Sequence, residues 1–205
     1  MFITFEGQEG AGKSTQIKLA FDYLQSRGMD VVITRDPGGT LIAEKIRHML
    51  KDKSNAAISK ETEALLYIAA RAQLVSEVIR PQLAKGGIVL CDRFTDSTIA
   101  YQGFGNNLDI DRLLAANNFA IDNLVPDLTF LLAIQPAEGL ARKSAYKELD
   151  RIEAKALTYH NAVKDGYDYL TARHPERIVS IEATASVQEI HSVIKSRLHC
   201  RLGLK

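Results

Sequence analysis

The sequence predicts an α/β fold, a five-stranded parallel sheet with helices on both faces. Three observations predict it. Short apolar, β-branched runs alternate with longer amphipathic ones five times along the chain, with no linker and no internal repeat. One run, Ile88-Val89-Leu90-Cys91, is continuously apolar, as a parallel strand covered on both faces should be. The first run, Phe2-Ile3-Thr4-Phe5, leads straight into Gly7-Gln8-Glu9-Gly10-Ala11-Gly12-Lys13-Ser14 and then an amphipathic stretch. That is the strand, loop and helix setting of a phosphate-binding P-loop.

The elements follow in order. The loop's glycines let the backbone wrap a polyphosphate with its amide N–H groups pointing inward. A helix over about 13–27 adds its positive N-terminal end and stops at Gly28. Lys13 can reach the outer phosphates, and the Ser14 hydroxyl can sit on a magnesium ion. ATP binding is therefore expected at Gly7, Gln8, Glu9, Gly10, Ala11, Gly12, Lys13, Ser14 and Thr15. Val31-Val32-Ile33-Thr34 is the second strand, and Pro37-Gly38-Gly39 turns the chain into a helix over about 41–50. Residues 51–60 read as a polar loop. A long helix over about 61–83, loosely broken at Pro81, is apolar on more than one face, which suits burial by the core and by another subunit.

Gly86-Gly87 opens the third strand, 88–91, which ends on Asp92-Arg93, where parallel sheets bind ligands. Residues 96–105 read as loop and short helix. A helix over about 110–123, a strand over 128–133, a charged stretch over 136–150 without clean periodicity, a helix over about 152–173, a strand over 178–181 and a helix over 187–198 complete the chain.

Composition bounds the function. A chain of 205 residues can form one good core, so residues 1–205 are expected to be one domain. The net charge of +1 advertises neither nucleic acid nor membrane. No apolar run approaches membrane-spanning length. Cys91 and Cys200 have no disulfide or metal spacing, which fits the cytoplasm. A P-loop implies a nucleoside triphosphate. A GTPase switch would need a guanine-reading Asn-Lys-x-Asp, which the sequence lacks, and a motor or transporter ATPase is usually larger. Arginines and polar residues after the second and third strands favour a small-molecule kinase.

Five motifs carry a closer resemblance: FEGQEGAGKST (5–15), TRDPGGT (34–40), YIAARAQ (67–73), DRFTDSTIAYQG (92–103) and ELDRIE (148–153). In order and spacing the chain resembles the bacterial thymidylate kinases, within the nucleoside monophosphate kinase family. The resemblance implies the P-loop kinase fold and transfer of the γ-phosphate of ATP to dTMP, giving dTDP and ADP for dTTP synthesis. It also implies Mg2+, a homodimer and a short lid at about 137–151. Carried over residue by residue, Glu9 contacts the acceptor's sugar. Asp36, where relatives usually have the longer Glu, contacts its sugar or phosphate end. Arg47 and Arg93 hold the acceptor phosphate, with an ion pair to Glu44 the alternative for Arg47. Asp92 lies near magnesium, directly or through water. Tyr67 stacks on the base or packs in the core. Arg71 meets a base carbonyl and Gln102 the neighbouring imide N–H, while Thr98 and Tyr101 line the base and deoxyribose. The P-loop has no arginine, so a cation must come from the lid. Arg142 or Arg151 is expected to act there, with Lys143 and Lys147 as alternatives. Ser144 and Tyr146 stand where relatives commonly carry further arginines.

Overall fold

The computed structural model describes residues 1–146 and 148–203; Lys147, one of the lid cations, lies outside the described residues. Strand β1 (Phe2–Glu6) is the middle of a sheet ordered β2-β3-β1-β4-β5, with every neighbouring pair parallel. Its companions are β2 (Val31–Arg35), β3 (Ile88–Asp92), β4 (Leu128–Ala133) and β5 (Ile178–Glu182). The chain leaves β1 for β2 on one side and later crosses from β3 to β4 on the other. The crevice beyond the carboxyl ends of β1 and β3 lies where that order reverses, the place where such sheets bind ligands.

Strand alternation sorts side chains to two cores. Ile3, Phe5, Leu90, Phe130 and Leu132 pack under helices α1 (Lys13–Ser26) and α9 (Val187–Leu202) through Ile17, Leu24, Ile190, Ile194 and Leu198. Phe2, Val89 and Cys91 face the opposite side, against Leu74, Ile79 and Phe94. Thr4 and Glu6 share that second side and are fully buried, so each needs polar partners. Thr4 finds Thr129 across the β1–β4 pair at 2.7 Å.

Between β2 and β3 lie α2 (Leu41–Lys51), α3 (Lys60–Leu74) and α4 (Arg80–Ala84). The expected break near Pro81 falls earlier, as a π-helical turn over Val75–Ile79. Proline lacks an N–H and crowds the carbonyl four residues back, and a widened turn just before it relieves both. Residues 96–105, expected as loop and short helix, are helical throughout: α5 (Thr95–Thr98) runs into a π-helical segment over Ile99–Gly105. Helix α6 (Ile110–Ile121) leads to β4. The charged stretch after β4 begins with a helix, α7 (Pro136–Ser144), which the irregular periodicity did not predict. The next helix, α8 (Leu157–Arg173), starts five residues later than its pattern suggested. The Asp150 carboxylate accepts from the backbone N–H groups of Ile152 and Glu153, and this local turn competes with helix there. No helix among the described residues is long and apolar enough to cross a membrane.

Candidate active site

The phosphate loop joins β1 to α1, and its glycines are sterically required. Gly10 has φ +70°, and a Cβ there would lie 2.1 Å from the carbonyl oxygen of Gly139 in α7. A Cβ on Gly139 would lie 2.3 Å from the carbonyl oxygen of Glu9. Loop and lid helix therefore meet backbone to backbone, and neither glycine tolerates a side chain. Gly12, in the left-handed region, precedes α1. The buried Lys13 ammonium donates to the carbonyls of Gly7 and Gln8, both at 2.9 Å. Burial, and then Arg93, push its pKa down to about 8.

A cleft of about 380 Å³ opens beside this loop. It brings together Glu9 to Thr15 from the loop, Asp36 and Arg47 from the β2 side, Tyr67 and Arg71 from α3, and Asp92, Arg93, Thr98, Tyr101 and Gln102 from β3 onward. Gly7 and Gln8 instead line a separate cavity of about 210 Å³ on the β4 side. From the lid, Lys143 lines the cleft, whereas Arg142 and Arg151 are absent from its lining. Arg142 donates to Glu138 and to the Ala183 carbonyl. Arg151 donates to the Leu50 carbonyl and to Glu63.

Arg93 is held from several directions in the cleft. Its backbone sits at φ +72°, uncommon for a non-glycine residue. One guanidinium nitrogen donates to Glu9 at 2.9 Å, and another to Ser97 (3.2 Å) and Tyr167 (3.1 Å). The guanidinium lies 4.7 Å from the Tyr101 ring centre, a cation–π contact. Tyr101 also donates its hydroxyl to Glu9 at 2.9 Å. Burial pushes the Glu9 carboxyl up, but Arg93 and Lys13 outweigh it and hold the group below its usual range.

Beneath Arg93 lies Glu6, which the sequence reading passed over. It accepts from the Phe94 backbone N–H (2.7 Å), Ser97 (2.6 Å) and Tyr167 (2.8 Å). Ser97 and Tyr167 thus touch both Glu6 and Arg93. Burial, and then Asp96, push the Glu6 carboxyl up to about 7. Its signal was present: strand alternation turns position 6 inward, and a carboxylate there demands partners.

On the acceptor side, Arg47 donates to the Pro37 carbonyl at 2.8 Å, and Glu44 pairs with Arg35 instead. Arg71 is 1% exposed and heavily engaged. It donates through Nε to Asp36, through Nη1 to Thr98 and Asn117, and through Nη2 to the Phe94 carbonyl. Four of a guanidinium's five N–H groups are spent on protein, leaving one for a ligand. Asp36 thus meets Arg71 directly, and burial, opposed by Arg71, raises its carboxyl. Thr98 serves as a support for Arg71 as well as a wall of the cleft.

The donor set suits magnesium. Ser14 and Asp92 both line the cleft, and the Asp92 Oδ1 atom is buried without a hydrogen-bond partner. A hydroxyl and a carboxylate oxygen are hard ligands, and this ion typically takes one or two protein oxygens beside substrate phosphates. Among the described residues no cluster of three metal-ligating side chains offers a competing site.

Comparison with known proteins gives consistent matches. A family model described as thymidylate kinase matches residues 5–194. The chain is 49% identical over 193 residues to a thymidylate kinase of Geobacter sulfurreducens, covering 91% of each. It is 44% identical over 194 residues to one of Exiguobacterium sp., covering 95% of this chain and 92% of the relative. A solved thymidylate kinase structure from Ehrlichia chaffeensis matches with a TM-score of 0.80 at 32% identity, covering 97% of this chain and 98% of that one.

Proposed function

The chain belongs to the thymidylate kinase family, whose members move the γ-phosphate of ATP to dTMP to give dTDP and ADP, and we propose that it does so in the cleft between the phosphate loop and the Asp92-Arg93 corner. One observation carries the placement. A phosphate-binding loop, a rigidly held arginine and an aromatic side chain with polar neighbours line the same cleft. One sheet carries both halves of it, which supports reading residues 1–205 as a single kinase domain with its lid at about 137–151.

Phosphoryl transfer asks the protein mainly to align two phosphates and neutralise charge between them. The backbone N–H groups of the loop and the start of α1 take the donor phosphates. Lys13 exchanges the loop carbonyls for outer phosphate oxygens and follows the transferring group. Arg93 presents its charge to the acceptor phosphate from a mount built by Glu9, Ser97 and Tyr167, with Arg47 beside it. The acceptor oxygen is already ionised near neutral pH, so no general base is required. Ser14 and Asp92 would hold Mg2+, which when bound supplies charge neutralisation at the donor phosphates. Among the described residues Lys143 is the lid cation that lines the cleft, and Arg151 anchors the lid's far end. Tyr67 stacks on the base, while Gln102 and the spare Arg71 N–H meet its polar edge. Tyr101, braced by Glu9, crowds the position of a ribose 2′-hydroxyl.

The unpaired Cys91 and Cys200 support a cytoplasmic setting. Leu65 on α3 is 60% exposed and Phe119 on α6 is 91% exposed, and these helices are neighbours. Exposed apolar side chains on two neighbouring helices support a homodimer formed through α3 and α6.

Lys13 provides the test of the cleft. Lys13→Ala should lower kcat by orders of magnitude while the fold persists. In the wild type, kcat/KM for ATP should fall as pH rises through about 8, where the depressed Lys13 ammonium loses its proton. In Lys13→Arg that alkaline limb should vanish, because a guanidinium stays charged. Near-normal turnover of a folded Lys13→Ala protein would remove this residue from the mechanism.

A further inference from the structure

Glu63 belongs to no motif that pointed to function, yet it sits at a junction. It lies on α3 one turn before Tyr67 and two before Arg71, and it is 1% exposed. Its carboxylate accepts from Gln102 Nε2 (3.2 Å), Asn106 Nδ2 (2.8 Å), Arg151 Nη2 (2.7 Å) and Lys155 Nζ (3.5 Å). Burial pushes the carboxyl up, but Lys155, Asn106, Gln102 and Arg151 together hold it below its usual range. Glu63 is therefore charged at neutral pH.

An ionised carboxylate only accepts hydrogen bonds, whereas a carboxamide has one end that donates and one that accepts. The Gln102 side chain must therefore turn its NH2 group to Glu63. Its carbonyl oxygen is then the acceptor it has left for the cleft that Gln102 lines. We propose that Glu63 is a specificity-determining positioning residue, which holds the Gln102 amide with its acceptor end toward the substrate base. The site then takes a pyrimidine that carries a ring N–H at that edge and rejects one that presents a bare ring nitrogen. Arg151 and Lys155 keep Glu63 ionised, so the ends of the amide cannot exchange. This inference rests on reading Gln102 as a base contact.

The experiment compares two acceptors that share the ring and its methyl group, dTMP and 5-methyl-dCMP. They differ in the ring N–H and the adjacent exocyclic group. kcat/KM is measured for both, with KM for ATP as a control, in the wild type, Glu63→Gln and Gln102→Met. An amide at position 63 can donate as well as accept, so Gln102 can then turn either way. Glu63→Gln should lower the dTMP to 5-methyl-dCMP preference by about tenfold or more, because hydrogen-bond mismatch is what discriminates. KM for ATP should stay within about twofold. Should Glu63→Gln fold poorly because Arg151 loses its partner, Glu63→Gln/Arg151→Met removes the stranded charge and carries the same prediction. Equal losses with both acceptors, leaving the preference intact, would mark Glu63 as structural and overturn the proposal. A preference that collapses in Gln102→Met but not in the position-63 variants would overturn it too, while keeping Gln102 as a base contact. A preference unmoved in all variants would overturn the Gln102 reading and the proposal with it.

Discussion

Arg71 spends four of its N–H groups on the core and is the residue proposed to offer the fifth to the substrate base. Its pairing with Asp36 is almost wholly removed from solvent, with side-chain exposures of 2% and 0%. Arg71→Ala would strand the Asp36 carboxylate, and removing one partner of a buried pair costs about 3–5 kcal/mol. At this chain length each kcal/mol is worth about 2–4 °C, so Tm should drop by on the order of 10 °C. The drop should be larger at pH 8 than at pH 5. Burial already pushes the Asp36 carboxyl up, and a protonated Asp36 no longer needs the cation. Thermal melts at the two pH values check this, and an unchanged Tm would contradict the pairing. The contrast between Arg71 and Glu63 shows what the sequence made legible at this scale. Tyr67 and Arg71 stood out as an aromatic and a cation four residues apart. Glu63 is four residues before Tyr67 on the same face, but an acidic residue near a helix start reads equally well as a favourable dipole partner. Only the convergence of Gln102, Asn106, Arg151 and Lys155 from later parts of the chain separates the two readings.

Elements were harder to read where charge outweighed pattern. The lid stretch lacked clean periodicity because α7 packs only a narrow face, with Pro136 and Gly139 buried and the rest exposed or half-buried. The structure orders the lid by its ends. At the start, Gly139 meets the phosphate loop backbone to backbone. At the far end, Lys51 pairs with Asp150, and Arg151 reaches the Leu50 carbonyl and Glu63. Between these anchors Lys143 faces the cleft, loosely paired with Glu153 at 3.5 Å. The resemblance, with no arginine in the P-loop, favoured the lid arginines, but Arg142 is occupied by Glu138 and Ala183. A cation acting on the transferring group should affect kcat more than KM. Lys143→Ala should lower kcat by about 10²-fold or more, since cations in this role are worth up to about 10³–10⁵. Arg142→Ala should leave kcat within a few-fold of the wild type. Separate kcat measurements on the two variants decide the matter, and a larger loss in Arg142→Ala would reverse the assignment.

At the scale of the whole molecule the sequence was most informative. Strand runs, turn glycines and βα alternation predicted the parallel sheet, because those signals are local and repeated. The order β2-β3-β1-β4-β5 was not legible, since strand neighbours depend on contacts distant in sequence. That order carries the loop after β1 and the Asp92-Arg93 corner after β3 to adjacent positions, as the Phe5–Asp92 register shows. The apolar face on α3 and α6 belongs to the same scale. If the proposed homodimer forms there, the wild type should have a dimer's mass by light scattering and Leu65→Glu a monomer's, and an unchanged mass would remove Leu65 from the interface. Phosphoryl transfer from ATP to a thymine deoxynucleotide is the reaction proposed for this cleft. Its most direct test is the initial rate of ADP release from ATP and Mg2+ with dTMP, dUMP, UMP, AMP or GMP, or with no acceptor. dTMP should give the highest kcat/KM, AMP and GMP should be poorest, and little ADP should appear without an acceptor. AMP or GMP matching dTMP, or equal ADP release with no acceptor present, would contradict it.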